Sequence, residues 1–348
     1  MKFIFMIYFI FKFNSCNQNI DKNYVDIKYK TNYTNILHQT NTIKKNAILG
    51  VITKYSWETV SPFFKSLIKS NFKNCDIVIF VRAVSQILIN NLKKIGALVY
   101  SVPEEYKNIS IINGRWKLYA DFLRNNRDKY NLIFCADVRD TIFQKDLFNY
   151  YENNTNFLGL AIEDGTLNQH YNKRWLINYC GVECFEKIMT ERIVCAGSMW
   201  GTIDKLIQFS DILWEKLSNN KNTTDQGLVN YLIYYEKIFD DYLVKSDNYG
   251  PIMTIALSRG EDIHLDSENN ILNLKGEIAS VVHQYDRKHD IALKLKKKFC
   301  PELFESKEKL QSNSLNNRNN IILFLSIELL TIILLIKSRI SLYKLKKK

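Results

Sequence analysis

The chain has 348 residues, 46% hydrophobic, 13% aromatic and 24% charged, which is too apolar for a disordered chain. Twelve glycines and four prolines exclude collagen-like and low-complexity classes, and the lack of a fixed-period repeat excludes a solenoid. Lys and Arg total 48 against 36 Asp and Glu, a net charge of +12. That excess gathers at the C-terminal end and in Arg287–Lys298 rather than in a stripe interleaved with aromatics, so no nucleic-acid partner is expected.

The chain opens with Met1-Lys2 and the apolar run Phe3–Phe11, a length that suits the core of a secretory signal peptide and is too short to span a bilayer. Residues 1–16 are read as that signal, cut near Ser15–Asn17, with a short membrane anchor as the alternative. Residues 17–46 are polar and read as a stem.

From Ala47 the pattern changes to alternating strands and helices. Strands are expected at Ala47–Thr53, Asp76–Val81, Ala97–Ser101 and Leu132–Ala136. Helices are expected at Trp57–Ser70, Ser85–Ile95 and Arg115–Asn125. Two further strands (157–162 and 193–203) and helices at Ile203–Leu217 and Asp225–Tyr235 complete residues 47–295. Strand–helix alternation of this kind means βαβ units, an α/β domain whose sheet is mostly parallel and flanked by helices.

Residues 296–320 read as a linker. The segment 321–343 reads as a transmembrane helix, with Lys337 and Arg339 snorkelling to the headgroups. Glu328 near its centre costs about 2.5–3.5 kcal/mol, which its apolar neighbours outweigh. The basic tail 344–348 then lies in the cytosol and the folded body in the lumen. Lys344 and Lys346 also resemble the dilysine retrieval signal of endoplasmic-reticulum membrane proteins. Sequons at Asn32, Asn108, Asn153 and Asn222 permit lumenal glycosylation. One disulfide is expected among Cys180, Cys184 and Cys195, and Cys135, inside an apolar run, is expected as a buried free thiol.

Ligands of such sheets sit beyond the carboxyl ends of the strands. There the fourth strand ends in Asp137-Val138-Arg139-Asp140, two carboxylates suited to a hard divalent cation that takes phosphate oxygens as its other ligands. An aspartyl-nucleophile phosphatase needs Asp-x-Asp-x-Thr, and Asp137-x-x-Asp140-Thr141 is one residue too long for it.

Five segments in order carry a family resemblance: Arg115-Trp116-Lys117-Leu118, LIFCADVRDTIFQKDLF (Leu132–Phe148), VCAGSMWGT (Val194–Thr202), TDQGLVN (Thr224–Asn230) and VHQYDR (Val282–Arg287). Together they resemble the nucleotide-sugar glycosyltransferases of GT-A (Rossmann-like) fold, loosely the glycogenin-like retaining branch. The metal motif is one residue longer than Asp-x-Asp, Cys195 stands where that branch has Asn, and its C-terminal motif is absent. The resemblance implies Asp137, Asp140 and His283 as ligands of Mn2+ (or Mg2+). It implies Arg115, Lys117, Asp137, Arg139, Gly197 and Ser198 as donor-binding, and Asp225 and Gln226 as catalytic. Arg115 suits bidentate phosphate binding, and Gly197 and Gly201 allow close backbone approach.

The expected function is transfer of a sugar, with retention, from a nucleotide-diphosphate donor to a glycan, protein or lipid acceptor. The expected setting is a single-pass membrane protein of the endoplasmic reticulum or Golgi with its catalytic domain lumenal. The alternative is a non-catalytic lumenal sugar- or nucleotide-binding membrane protein of the same fold. Two bare carboxylates should repel, so Asp137→Asn or Asp140→Asn is expected to leave the metal-free melting temperature unchanged or raised.

Overall fold

The computed structural model describes residues 43–220 and 223–304. The expected signal segment, most of the stem, the expected membrane helix and basic tail, Asn32 and Asn222 lie outside them. Among the described residues no helix is long and apolar enough to cross a membrane.

In chain order the elements are β1 (Lys45–Thr53), α1 (Trp57–Lys69), β2 (Cys75–Arg82), α2 (Gln86–Lys94), β3 (Leu98–Ser101), α3 (Ile111–Asn125), β4 (Tyr130–Ala136) and β5 (Thr141–Phe143). There follow α4 (Phe148–Tyr151), β6 (Leu158–Thr166), α5 (His170–Ile188), β7 (Arg192–Thr202), α6 (Ile203–Asn219), α7 (Asp225–Tyr234) and β8 (Leu243–Ser246). The last are β9 (Ile252–Thr254), β10 (His264–Leu265), β11 (Ile271–Leu272), β12 (Val281–His283) and α8 (His289–Phe299).

The apolar runs of β1, β2 and β4 are those of strands covered on both faces. They lie inside a seven-stranded sheet ordered β3-β2-β1-β4-β7-β6-β8. Every pairing is parallel except those of β7, which runs antiparallel to β4 and β6. Trp116 of α3, Phe209 of α6 and Leu232 of α7 pack on one face. Phe63 and Phe64 of α1 and Leu88 of α2 pack on the other. Each such side chain contributes about 1.5–3 kcal/mol by leaving water. A three-stranded sheet, β5-β12-β9, adjoins the carboxyl end of β4.

Three features differ from the expectations. Helix α3 begins at Ile111, so Arg115–Leu118 lie within it rather than opening it. The folded body runs past residue 295, because α8 continues to Phe299 and both Phe299 and Cys300 are buried. The basic run Arg287–Lys298 is largely this helix, with Leu295 inward and Lys294 and Lys297 outward. Helix α5 was not expected: Gly181 at φ 83° breaks it into two pieces and blurs its period. The disulfide is Cys180–Cys184, across that break, while Cys135 and Cys195 are free and buried. The sequons at Asn108 and Asn153 are exposed.

Asp76, at the start of β2, latches three strands. Its carboxylate accepts from Lys45 of β1 at 2.9 Å, and from Lys129 and Tyr130 at the start of β4 at 2.7 and 2.8 Å. Burial pushes the Asp76 carboxyl upward, and these partners outweigh it and hold its pKa low. A depressed carboxylate stabilises the fold above its ordinary pKa near 4 and loses that contribution as pH falls through the lower folded value. Asp76→Asn is therefore expected to cost about 1 kcal/mol at pH 7. Urea midpoints at stepwise lower pH should show the gap to wild type closing below about pH 4.

Candidate metal centre

Strand β4 delivers Asp137 to the carboxyl end of the main sheet, and a tight turn carries the chain through Asp140 into β5. Strand β12 pairs antiparallel with β5, setting His283 opposite Thr141, and parallel with β9, setting it opposite Thr254. The Gln284 N–H donates to the Asp140 carbonyl at 2.7 Å, which fixes the crossing. His283 Nε2 then lies 3.4 Å from Asp140 Oδ1 and 3.7 Å from Asp137 Oδ2. One ligand atom from each of the three residues falls within 4.8 Å of the others. Asp140 and His283 are buried, whereas the Asp137 side chain is 39% exposed, so the group opens to solvent on that side.

Across from Asp137, strand β7 shifts register against β6, and the Gly197 carbonyl accepts from the Asp137 N–H at 2.9 Å. A Cβ at Gly197 would stand 2.4 Å from His283 Cε1, 2.8 Å from His283 Nε2 and 2.6 Å from Asp137 Oδ2. Glycine thus keeps open the space into which the carboxylate and the imidazole point. Gly197→Ala is expected to weaken Mn2+ binding at least tenfold, read by titration of the free ion. Overpacking should also cost the metal-free protein about 1–3 kcal/mol.

The electrostatics ask for a positive charge in that space. Burial raises the Asp137 carboxyl, but Arg115 and then His283 pull it below the ordinary carboxylate range. Asp140 is likewise raised by burial and lowered further by His283 and Arg139. His283 is opposed by burial, yet Cys195, Asp140 and Asp137 hold its pKa well above the usual imidazole value. Two carboxylate oxygens and one imidazole nitrogen are a donor set for a first-row divalent cation, and His283 Nε2 has no hydrogen-bond partner among the described residues. The residues fit the metal that the motif implies.

The other expected residues divide. Arg115, buried, reaches Asp137 with Nη1, and with Nη2 donates to Asp225 at 2.6 Å and to the Ala196 carbonyl at 3.0 Å. Asp225 also accepts from the Trp116 indole at 3.3 Å and from the Gln226 N–H at 2.8 Å. Burial raises its pKa, with Arg115 opposing. Gln226 accepts from the Ala196 N–H at 2.8 Å and donates to Glu163 at 3.4 Å. Asp225 and Gln226 are thus held by protein partners beside the centre. Arg139 sits at the rim, donating to Asp140 at 2.8 Å. Gly197 lines the centre, and Ser198 is buried with no partner for its hydroxyl among the described residues. Lys117 is not brought to the site; it pairs with Asp121 one turn along α3.

Three residues given no role from the sequence complete the surroundings; Arg287 and Asn230 stood inside the quoted motifs, and Glu163 in none. Glu163, in the last half of β6, is buried, which raises its pKa, while the nearby Cys195 and His283 and its hydrogen bond from Gln226 lower it. Arg287 lies 3.4 Å from Asp140. Asn230 bonds both the N–H and the carbonyl of Val194, at 2.8 and 2.9 Å, tying α7 to β7. The available signal for Glu163 was a carboxylate pair, Glu163-Asp164, closing a buried strand as Asp137 does.

No family model matches the sequence, and no curated protein matches it. Solved structures with similarity include an active-site mutant of LgtC, at 13% identity and TM-score 0.43, covering 68% of this chain and 86% of that one. The glycosyltransferase GlyE of Streptococcus pneumoniae TIGR4 matches at 16% identity and TM-score 0.43, over 75% of this chain and 64% of that one. Its apo form matches at 14% identity and TM-score 0.44, over 74% and 64%. This chain therefore spans just under two thirds of GlyE. These are likenesses of fold; the functional reading stands on the site.

Proposed function

We propose that the chain is a metal-dependent glycosyltransferase that takes a sugar from a nucleotide-diphosphate donor. The observation that carries this is the convergence of Asp137, Asp140 and His283 on the gap at Gly197, at the carboxyl end of a mostly parallel α/β sheet. A divalent cation bound there offsets the charge that develops on a leaving diphosphate. Asp137, Asp140 and His283 would hold it, while Arg115 fixes Asp137 from behind. Arg139 and Arg287, partly exposed beside Asp140, carry guanidinium N–H groups suited to phosphate oxygens. The imidazole ligand favours Mn2+ over Mg2+.

The reading extends to retention of anomeric configuration, on the motif at Thr224–Asn230, and to a glycan, protein or lipid acceptor. It places the body in the lumen of the endoplasmic reticulum or Golgi behind a single C-terminal span. The exposed sequons at Asn108 and Asn153 support this, as does the Cys180–Cys184 bridge, since disulfides persist in oxidising compartments.

The test is a panel of nucleotide sugars incubated with the protein, with and without Mn2+. Mn2+-dependent release of nucleoside diphosphate from one donor is expected, with the product anomer read by NMR. Binding of a donor with no turnover in water or on any acceptor would favour the non-catalytic binding protein. Resistance to carbonate extraction and a mass shift on glycosidase treatment check the membrane and lumenal parts.

A further inference from the structure

A backbone amide can only donate, so the Gln226 carboxamide must meet the Ala196 N–H with Oε1, at 2.8 Å. That turns Gln226 Nε2 toward Glu163 Oε1, 3.4 Å away. Cys195, the residue before Ala196 on β7, brings its Sγ within 3.3 Å of His283 Nδ1. A neutral imidazole carries one N–H, so a ring that donates from Nδ1 to this sulfur has its lone pair on Nε2, the atom that faces Asp137 and Asp140.

We propose that Cys195 is a positioning residue that holds His283 with Nδ1 as donor and Nε2 free to take a divalent cation. This rests on the metal centre of the proposed function and adds to it a sulfur partner on the far side of the ligand. Partners of this kind set the tautomer and ring orientation of a ligating histidine, and losing one typically costs about 10–100-fold in metal affinity.

The experiment measures the Mn2+ dissociation constant by electron paramagnetic resonance of the free ion, together with the metal-free melting temperature. Wild type is compared with Cys195→Ala, Cys195→Val and Cys195→Ser. Valine fills the buried strand position without a hydrogen bond, so it keeps the test open if alanine leaves an unstable void. About a tenfold to hundredfold weaker Mn2+ affinity is expected for alanine and valine, with serine restoring affinity close to wild type. A residue that only filled space would move the melting temperature of the alanine variant and leave the affinity of the valine variant unchanged. Wild-type affinity in Cys195→Ala or Cys195→Val overturns the positioning role. A wild-type protein that binds no Mn2+ overturns the metal centre itself, which is a separate result.

Discussion

Arg115→Met is expected to destabilise the protein by about 3–5 kcal/mol, the cost of removing one partner from a buried ion pair. The Arg115 side chain is only 6% exposed and faces two carboxylates, one of them equally enclosed. Without it, Asp225 keeps only the Trp116 indole and a main-chain N–H. The guanidinium also lies 5.0 Å over the Trp116 ring, a contact methionine cannot replace. Lysine is a poor substitute, since one ammonium cannot reproduce a fork that bonds Asp137, Asp225 and the Ala196 carbonyl together. Urea midpoints read the effect, and adding Asp225→Asn to the methionine variant should recover part of it. A loss under about 1 kcal/mol, the scale of a surface pair, would mean that this triad does not hold the site together.

Asp140→Asn and Asp137→Asn are each expected to lower Mn2+-dependent donor turnover on the order of a hundredfold or more. Asparagine keeps volume and polarity and removes the charge that binds the cation. The rise in melting temperature on adding Mn2+ should vanish with it. The structure corrects the expectation that these changes leave the metal-free protein as stable or more so. Asp137 faces Arg115 and His283, while Asp140 faces Arg139, Arg287 and His283, so the carboxylates are compensated and do not stand bare. Each variant should therefore lose about 1–3 kcal/mol without metal. Normal turnover by both folded variants would remove the main support for the transferase reading.

The parts of this molecule that were readable in one dimension are those set by local pattern. The runs in β1, β2 and β4 announce buried strands, and Asp137 and Asp140 announce themselves by closing one. His283 was reachable only through its motif, because what brings it to Asp140 is the pairing of β12 with β5, a contact between distant segments. The roles of Asp225, Gln226 and Lys117 were the least legible. Position in a motif says that Asp225 and Gln226 lie near the site, and only the surrounding partners say that their polar atoms are already taken. Lys117 is two residues beyond Arg115 on a helix, hence on another side of it. Glu163 and the contact of Cys195 with His283 stayed hidden because each depends on distant segments meeting.

The reversal of β7 has a consequence for how this chain can change. Since β6 runs toward the carboxyl end of the sheet and β7 runs back from it, everything between Thr166 and Arg192 is strung out at that one end. Helix α5, with its break at Gly181 and its cystine, is therefore an overhang rooted in two adjacent strands and leaning on α7 through Leu176, Phe185 and Tyr231. Lengthening, shortening or exchanging it would leave every strand of the sheet in register, and with it the floor formed by Ala196, Gly197 and Ser198. A new partner can thus be met by redrawing the rim while the ligands of the cation stay where they are.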